Sequence, residues 1–370
     1  MPPLSPDDEA ALVRLATALV DQQRARVLIA ANQHASGFWF GGGNVLHDAD
    51  GSLLLVGRYR NAGDSRTGVA AGERGLELAV FRAASVDAPF EKVLHFTKAE
   101  LDVADERVLS IEGAALRRTA GGYELFVSTE KDGIGYPGEL SAYLKPGTGV
   151  WTIDRLTAPS LDALAGAPVE TVLTSRDPRY LHVKDPFLYT TPAGNDLLLF
   201  CTHPYSWTSS NTGYAPLRDG RVVADEAVFD FFPRGTTWDV AITRGTCVVD
   251  VPRQGRFHDR NVSLLFYDGG ESIRNLDEHA AAIRRPRGYS CEEIGGLAYL
   301  IDGDLHRPAR LSRYAPLFTS PHGTGCSRYV DVVRTETGML ATWQQAQADG
   351  SQPLVGNFLT TDEVARLLDA

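Results

Sequence analysis

Ser110-Ile111-Glu112-Gly113-Ala114-Ala115-Leu116 sets one carboxylate at the head of an apolar run, and a Gly121-Gly122 turn then leads into Tyr123-Glu124-Leu125-Phe126-Val127-Ser128. Two apolar runs of this length joined by a glycine turn read as a β-hairpin, and the acid at its head needs a chemical reason. The same unit, a polar leader, an apolar strand, a turn and a second strand, recurs along the chain with other leaders. Five sections of about 45 to 60 residues follow from it. The first holds Phe38 to Leu46, Leu53 to Arg60 and Leu76 to Phe81, and the second adds Gly149 to Ile153 to the opening hairpin. The third holds Val183 to Tyr189, Asp196 to Cys201 and Ala227 to Phe232. Val240 to Val249, Val262 to Tyr267 and Gly296 to Leu300 form the fourth, and Cys326 to Val333, Met339 to Gln344 and Pro353 to Phe358 form the fifth.

Antiparallel repeats of this length cannot bury their faces alone, so the expected fold is all-β, a five-bladed β-propeller with a short N-terminal helix. Residues 1–25 carry the helical period behind Ser5-Pro6-Asp7-Asp8, a cap signal. Residues 26–360 are expected to form the propeller, with Arg26 to Ala30 completing the last blade, and 361–370 a helical tail.

The totals narrow the function. Among 370 residues the hydrophobic share is 43% and the charged share 22%, ordinary for a globular protein. A net charge of −11 without a Lys/Arg cluster argues against nucleic-acid binding. Cys201, Cys247, Cys291 and Cys326 include no CxxC pair, which suggests free thiols rather than a zinc site or disulfide scaffold. The N-terminus lacks the pattern of a secretory signal and no run reaches membrane-spanning length, so the expectation is a soluble, cytoplasmic protein without a membrane partner. Dinucleotide, P-loop, HExxH and nucleophile-elbow motifs are absent, and no cofactor or metal is expected.

Aligning the inner strands by their apolar runs sets Gly42, Glu112, Asp185, Arg244 and Arg328 at comparable places around the axis. Buried charges there either neutralise one another as a plug or serve a ligand. The second reading gives a carboxylate pair, one protonated and one ionised, as cleavage of a glycosidic bond requires. Arg58 and Asp64 fall in the densest polar segment, Gly57 to Gly68, directly after an apolar strand, and Glu292 in Ser290-Cys291-Glu292-Glu293 is a further acid. Trp39, His203 and Trp207 are candidates for contact with a sugar ring, with Tyr136 in Gly135-Tyr136-Pro137 beside them. Paired arginines also suit the carboxylate of an acidic sugar such as a uronate.

The Ile-Glu-Gly-Ala-Ala-Leu run, Gly-Tyr-Glu-Leu-Phe-Val-Ser and Lys184-Asp185-Pro186-Phe187-Leu188-Tyr189 together resemble the five-bladed propeller glycoside hydrolases, families 43, 32, 68, 117 and 130. The resemblance implies a saccharide substrate, Glu112 as general acid and Asp185 as an orienting carboxylate. Those families keep an Asp in the first blade, where this chain has Gly41-Gly42-Gly43-Asn44. The expected function is therefore a glycosidase, with Glu112 and a second carboxylate among Asp185, Asp64 and Glu292. Arg58, Trp39, His203, Trp207, Arg244 and Arg328 would bind substrate. A non-catalytic carbohydrate-binding propeller, or a lyase or phosphorylase acting on an acidic sugar, are the alternatives.

Overall fold

The computed structural model describes residues 3–61, 73–134, 149–175, 177–204, 209–271 and 293–369. Its sheets form five antiparallel blades, each counted from an inner strand outward. Blade I has an inner edge broken into Trp39–Gly41 and Val45–His47, then Leu53–Asn61, Glu73–Ala83 and Glu91–Thr97. Blade II runs Val108–Thr119, Gly122–Lys131, Val150–Ala158 and Glu170–Leu173. Blade IV runs Ile242–Asp250, Val262–Gly270, Ile294–Ile301 and Ala309–Arg310. The fold is the five-bladed propeller anticipated from the repeats.

Blade III corrects one expected strand. After Val183–Thr190 and Asp196–Thr202, the third strand is Asn211–Arg218, and Val228–Phe232 lies outside it, paired through Thr212 to Phe232 and Tyr214 to Val228. Gly213 and Pro216 weaken the β signal of the true third strand. The glycine is needed because a Cβ there would lie 2.7 Å from both the Phe200 ring and the Val228 carbonyl oxygen.

Blade V runs Ser327–Arg334, Gly338–Gln345 and Leu354–Thr360, and its outer strand is Arg26–Ile29 from the start of the chain. The ring is thus closed by strands from both ends of the sequence. Helix Pro6–Leu19 begins at a capping box, with Ser5 Oγ accepting from the Asp8 N–H and Asp8 accepting from the Ser5 N–H. It packs Leu12, Leu15 and Leu19 into the same core as Leu368 of helix Thr361–Asp369.

The continuous apolar runs follow from a strand's period of two between blades that bury both faces. Leu54 and Val56 enter the core shared with blade II, while Leu53 and Leu55 enter the core shared with blade V. Leu198 and Phe200 face blade II, and Leu197 and Leu199 face blade IV. Leu264 and Phe266 complete the ring toward blade V. Five such inter-blade cores encircle the axis, so the polar side chains that break the pattern stand out at the inner edges. No helix among the described residues is long and apolar enough to cross a membrane.

Candidate functional site

Each inner edge is irregular near its leading end. The registers shift between Ile111 and Ala114, Lys184 and Phe187, Gly245 and Cys247, and Arg328 and Asp331. Such bulges turn side chains out of the ladder and concentrate next to binding sites. Two of them contain non-glycine residues with left-handed backbones, Asp185 at φ 52° and Tyr329 at φ 55°. By backbone conformation Tyr329, rather than Arg328, is the counterpart of Asp185, which shifts the expected alignment by one residue in blade V.

Gly42 also has a positive φ, 75°, and its missing side chain has a use. A Cβ there would lie 2.5 Å from Nη1 of Arg58, so blade I delivers its polar group from the second strand, over the glycine. Arg58 donates to the Gly41 carbonyl at 3.0 Å, to Glu112 Oε2 at 3.3 Å and to the Tyr329 hydroxyl at 3.2 Å. The Ser110 hydroxyl donates to the other Glu112 oxygen at 3.0 Å. Gly113, next to Glu112, lets Asp185 approach, and its N–H donates to Asp185 Oδ1 at 2.9 Å.

The other half of the network centres on Arg244. It meets Asp185 at 3.2 Å, Asp268 at 2.8 Å and Glu293 at 2.8 Å, and Arg328 meets Glu293 at 2.5 Å. Tyr329 sits among these cations. Its ring centroid is 4.2 Å from the Arg244 guanidinium, 5.2 Å from that of Arg58 and 5.4 Å from that of Arg328, and its backbone N–H donates to both oxygens of Asp268. Four basic groups, Arg58, Lys184, Arg244 and Arg328, thus face four carboxylates, Glu112, Asp185, Asp268 and Glu293. A cavity of about 20 Å³, room for one water, is lined by Gly42, Gly113, Asp185, Gly245, Thr246 and Tyr329.

The four carboxylates differ in environment. Burial raises the Glu293 pKa, but Arg244 and Arg328 outweigh it and hold the group well below the usual carboxylate range. Burial pushes Asp268 up to about 6 despite Arg244. Glu112 and Glu293 keep 15% and 17% of their side chains exposed, whereas Asp185 keeps 4% and Asp268 none. Among these four carboxylates the two glutamates are therefore the ones at the solvent edge.

Sequence reasoning reached Glu112, Asp185, Arg58, Arg244 and Arg328, and the structure brings all five together. Trp39 adjoins them, but the guanidiniums of Arg60 and Arg328 each lie 4.3 Å from its ring centroid, so its faces meet arginines. His203 is buried beside Lys184 and pushed down to about 3 by burial and that lysine. Asp64, Glu292, Trp207 and Tyr136 lie outside the described residues. Glu293, Asp268, Tyr329 and Lys184 were missed. Asp268 is the cross-strand neighbour of Arg244, a pairing that reading the inner strands alone does not reveal. No group of three or more His, Cys, Asp or Glu among the described residues is placed to hold a metal.

No family model matches the sequence, and no curated protein does. The fold, by contrast, is shared with solved glycosidases. A glycoside hydrolase superposes with a TM-score of 0.59 at 9% identity over 96% of both chains. An α-L-arabinofuranosidase from Lactobacillus brevis gives 0.58 at 11% identity, covering 92% of this chain and 95% of its own. A family-43, subfamily-1 enzyme from Xanthomonas citri, complexed with xylose, gives 0.51 at 10% identity, covering 96% and 95%.

Proposed function

We propose that this propeller is a glycosidase that receives a saccharide at the leading ends of its inner strands and cleaves a glycosidic bond between Glu112 and Glu293. The observation that carries the reading is the contrast between the two solvent-edge carboxylates. Glu293 lies between two guanidiniums at 2.8 and 2.5 Å, which keeps it ionised as a base or nucleophile must be. Glu112 meets Arg58 at a longer 3.3 Å and is the proton donor. Paired carboxylates in unlike environments are the means by which one site runs acid and base chemistry together. Asp185 replaces neither of them, because it is committed to Gly113, Arg244 and Tyr329, and it orients Arg244. The arginines position carboxylates, and the sugar meets the glutamates.

The test is hydrolysis of a panel of aryl glycosides and oligosaccharides by the wild-type chain, Glu112→Gln and Glu293→Gln. Turnover lost in both variants, with the fold and saccharide affinity kept, supports the assignment. A second reading, a non-catalytic carbohydrate-binding propeller, draws on the ion pairing of the floor, which also makes a rigid array for sugar hydroxyls. Saccharide binding measured by calorimetry without turnover on any substrate would favour it.

A further inference from the structure

Lys184 differs from the other cations of the network. The three arginines each hold a carboxylate at 3.3 Å or less, whereas the nearest carboxylate of Lys184 is Asp185 at 3.9 Å, and its amino group makes no hydrogen bond within the described residues. The side chain keeps 17% of its surface exposed. Burial opposes its charge, but Asp185, Glu112 and Tyr329 prevail and raise its pKa, so the ammonium is permanent. A lysine has three donors to place, and these three have no acceptor.

Behind it stands a wall between blades II and III. The ammonium lies 5.8 Å from the Trp151 ring centroid, His182 packs edge-on against Trp151 at 4.5 Å, and His203 follows at 5.6 Å. Among the described residues Trp151 Nε1 and His203 Nδ1 are buried without a hydrogen-bond partner, which is uncommon in a folded protein. Burial, with Lys184, keeps both imidazoles neutral. One ammonium and one indole N–H thus share this corner without an acceptor from the chain among the described residues, and they bring a single positive charge.

We infer that Lys184, backed by Trp151, takes the carboxylate of an acidic sugar, which makes the substrate a uronide. The inference rests on the saccharide reading of the site and narrows its substrate class. An ionised acceptor suits this corner because charge-assisted hydrogen bonds are the stronger ones and the donors outnumber the acceptors. The arginines are unsuited to that task, since carboxylates of the chain already occupy them.

Calorimetric titration with glucuronate and galacturonate, beside glucose and galactose, tests the subsite without requiring cleavage. The uronates are expected to bind about tenfold or more tightly than their neutral counterparts. Lys184→Met should abolish that preference, Lys184→Arg should retain most of it, and Trp151→Phe should weaken it severalfold. Equal binding of acidic and neutral sugars overturns the proposal, as does undiminished uronate preference in Lys184→Met, or inorganic phosphate binding at Lys184 while uronates do not bind. Lys184-dependent uronate binding without hydrolysis of any aryl uronide upholds the subsite and removes the glycosidase reading. Glu112-dependent hydrolysis of neutral glycosides with no acidic preference does the reverse.

Discussion

The phenol oxygen of Tyr329, on the inner strand of blade V, accepts a hydrogen bond from Arg58 on the second strand of blade I at 3.2 Å. The same hydroxyl donates to Asp185 of blade III at 3.5 Å. One side chain therefore spans the axis and joins the carboxylate on Arg58 to those on Arg244.

Removing only that hydroxyl separates its bonds from the ring's packing. Tyr329→Phe is expected to cost about 1 kcal/mol in urea unfolding, the net worth of an ordinary hydrogen bond. Tyr329→Ala also removes the platform under three guanidiniums, and about 3–5 kcal/mol is expected, as for other large buried rings. Equal losses in the two variants would show that the ring contributes nothing beyond its hydroxyl.

The two glutamates should respond differently to neutralisation. Glu293→Gln leaves Arg244 and Arg328 short of an anion, and a stability loss of about 3 kcal/mol is expected, as when one partner leaves a buried pair. Glu112→Gln should cost less than half of that in thermal or urea unfolding. Both should lower turnover by about 10²- to 10⁴-fold on any substrate that the wild-type chain cleaves.

Asp331 offers a pH test away from the glutamates. Its carboxylate accepts from the Val45 N–H at 2.7 Å, and burial pushes its pKa up to about 6 from 3.8. A carboxyl raised in the fold binds its proton more tightly there than in the unfolded chain, so its effect on stability worsens as pH rises from about 4 to about 6 and stays adverse above that window. Asp331→Asn should therefore be the more stable protein at pH 8, by up to about 3 kcal/mol for a shift of about two units. At pH 4 the difference should vanish. Denaturant curves that give the same difference at both pH values would refute the assignment.

Lys131 and Asp154 form a fully buried ion pair at 2.6 Å in blade II, with Thr129 and Thr152 also on the ammonium. Lys131→Met strands the carboxylate and should cost about 3–5 kcal/mol. Lys131→Met combined with Asp154→Leu should recover most of the loss, and a double-mutant cycle in urea reads the coupling directly.

The blades were legible because each inner and second strand must be apolar on both faces, and runs such as Leu53 to Val56 and Leu197 to Phe200 have no other explanation in a chain of this length. Outer strands were harder to see. Glu91–Thr97 is mostly exposed, with buried residues only at Leu94 and Phe96, so its composition resembles a loop. At the site, polar groups of the inner edges and of one second strand are legible, but Lys184 and Tyr329 beside two of them, Asp268 of another second strand and Glu293 just before a third are not. Arg58 was noticed for its polar surroundings, yet its place over Gly42 depends on a backbone turn that the glycine only hints at. The sequence alone does not separate Glu293 from its neighbour Glu292, because which of two adjacent acids before a strand faces the axis is a matter of register.

The outer strand of blade V has a further consequence in the order of synthesis. Arg26–Ile29 leaves the ribosome more than three hundred residues before its neighbour Leu354–Thr360. At about 5 to 20 residues per second it waits on the order of tens of seconds for its partner. During translation this early-made strand is thus among the last seated, and until then the nascent chain carries Val27, Leu28 and Ile29 as an unclaimed sticky segment.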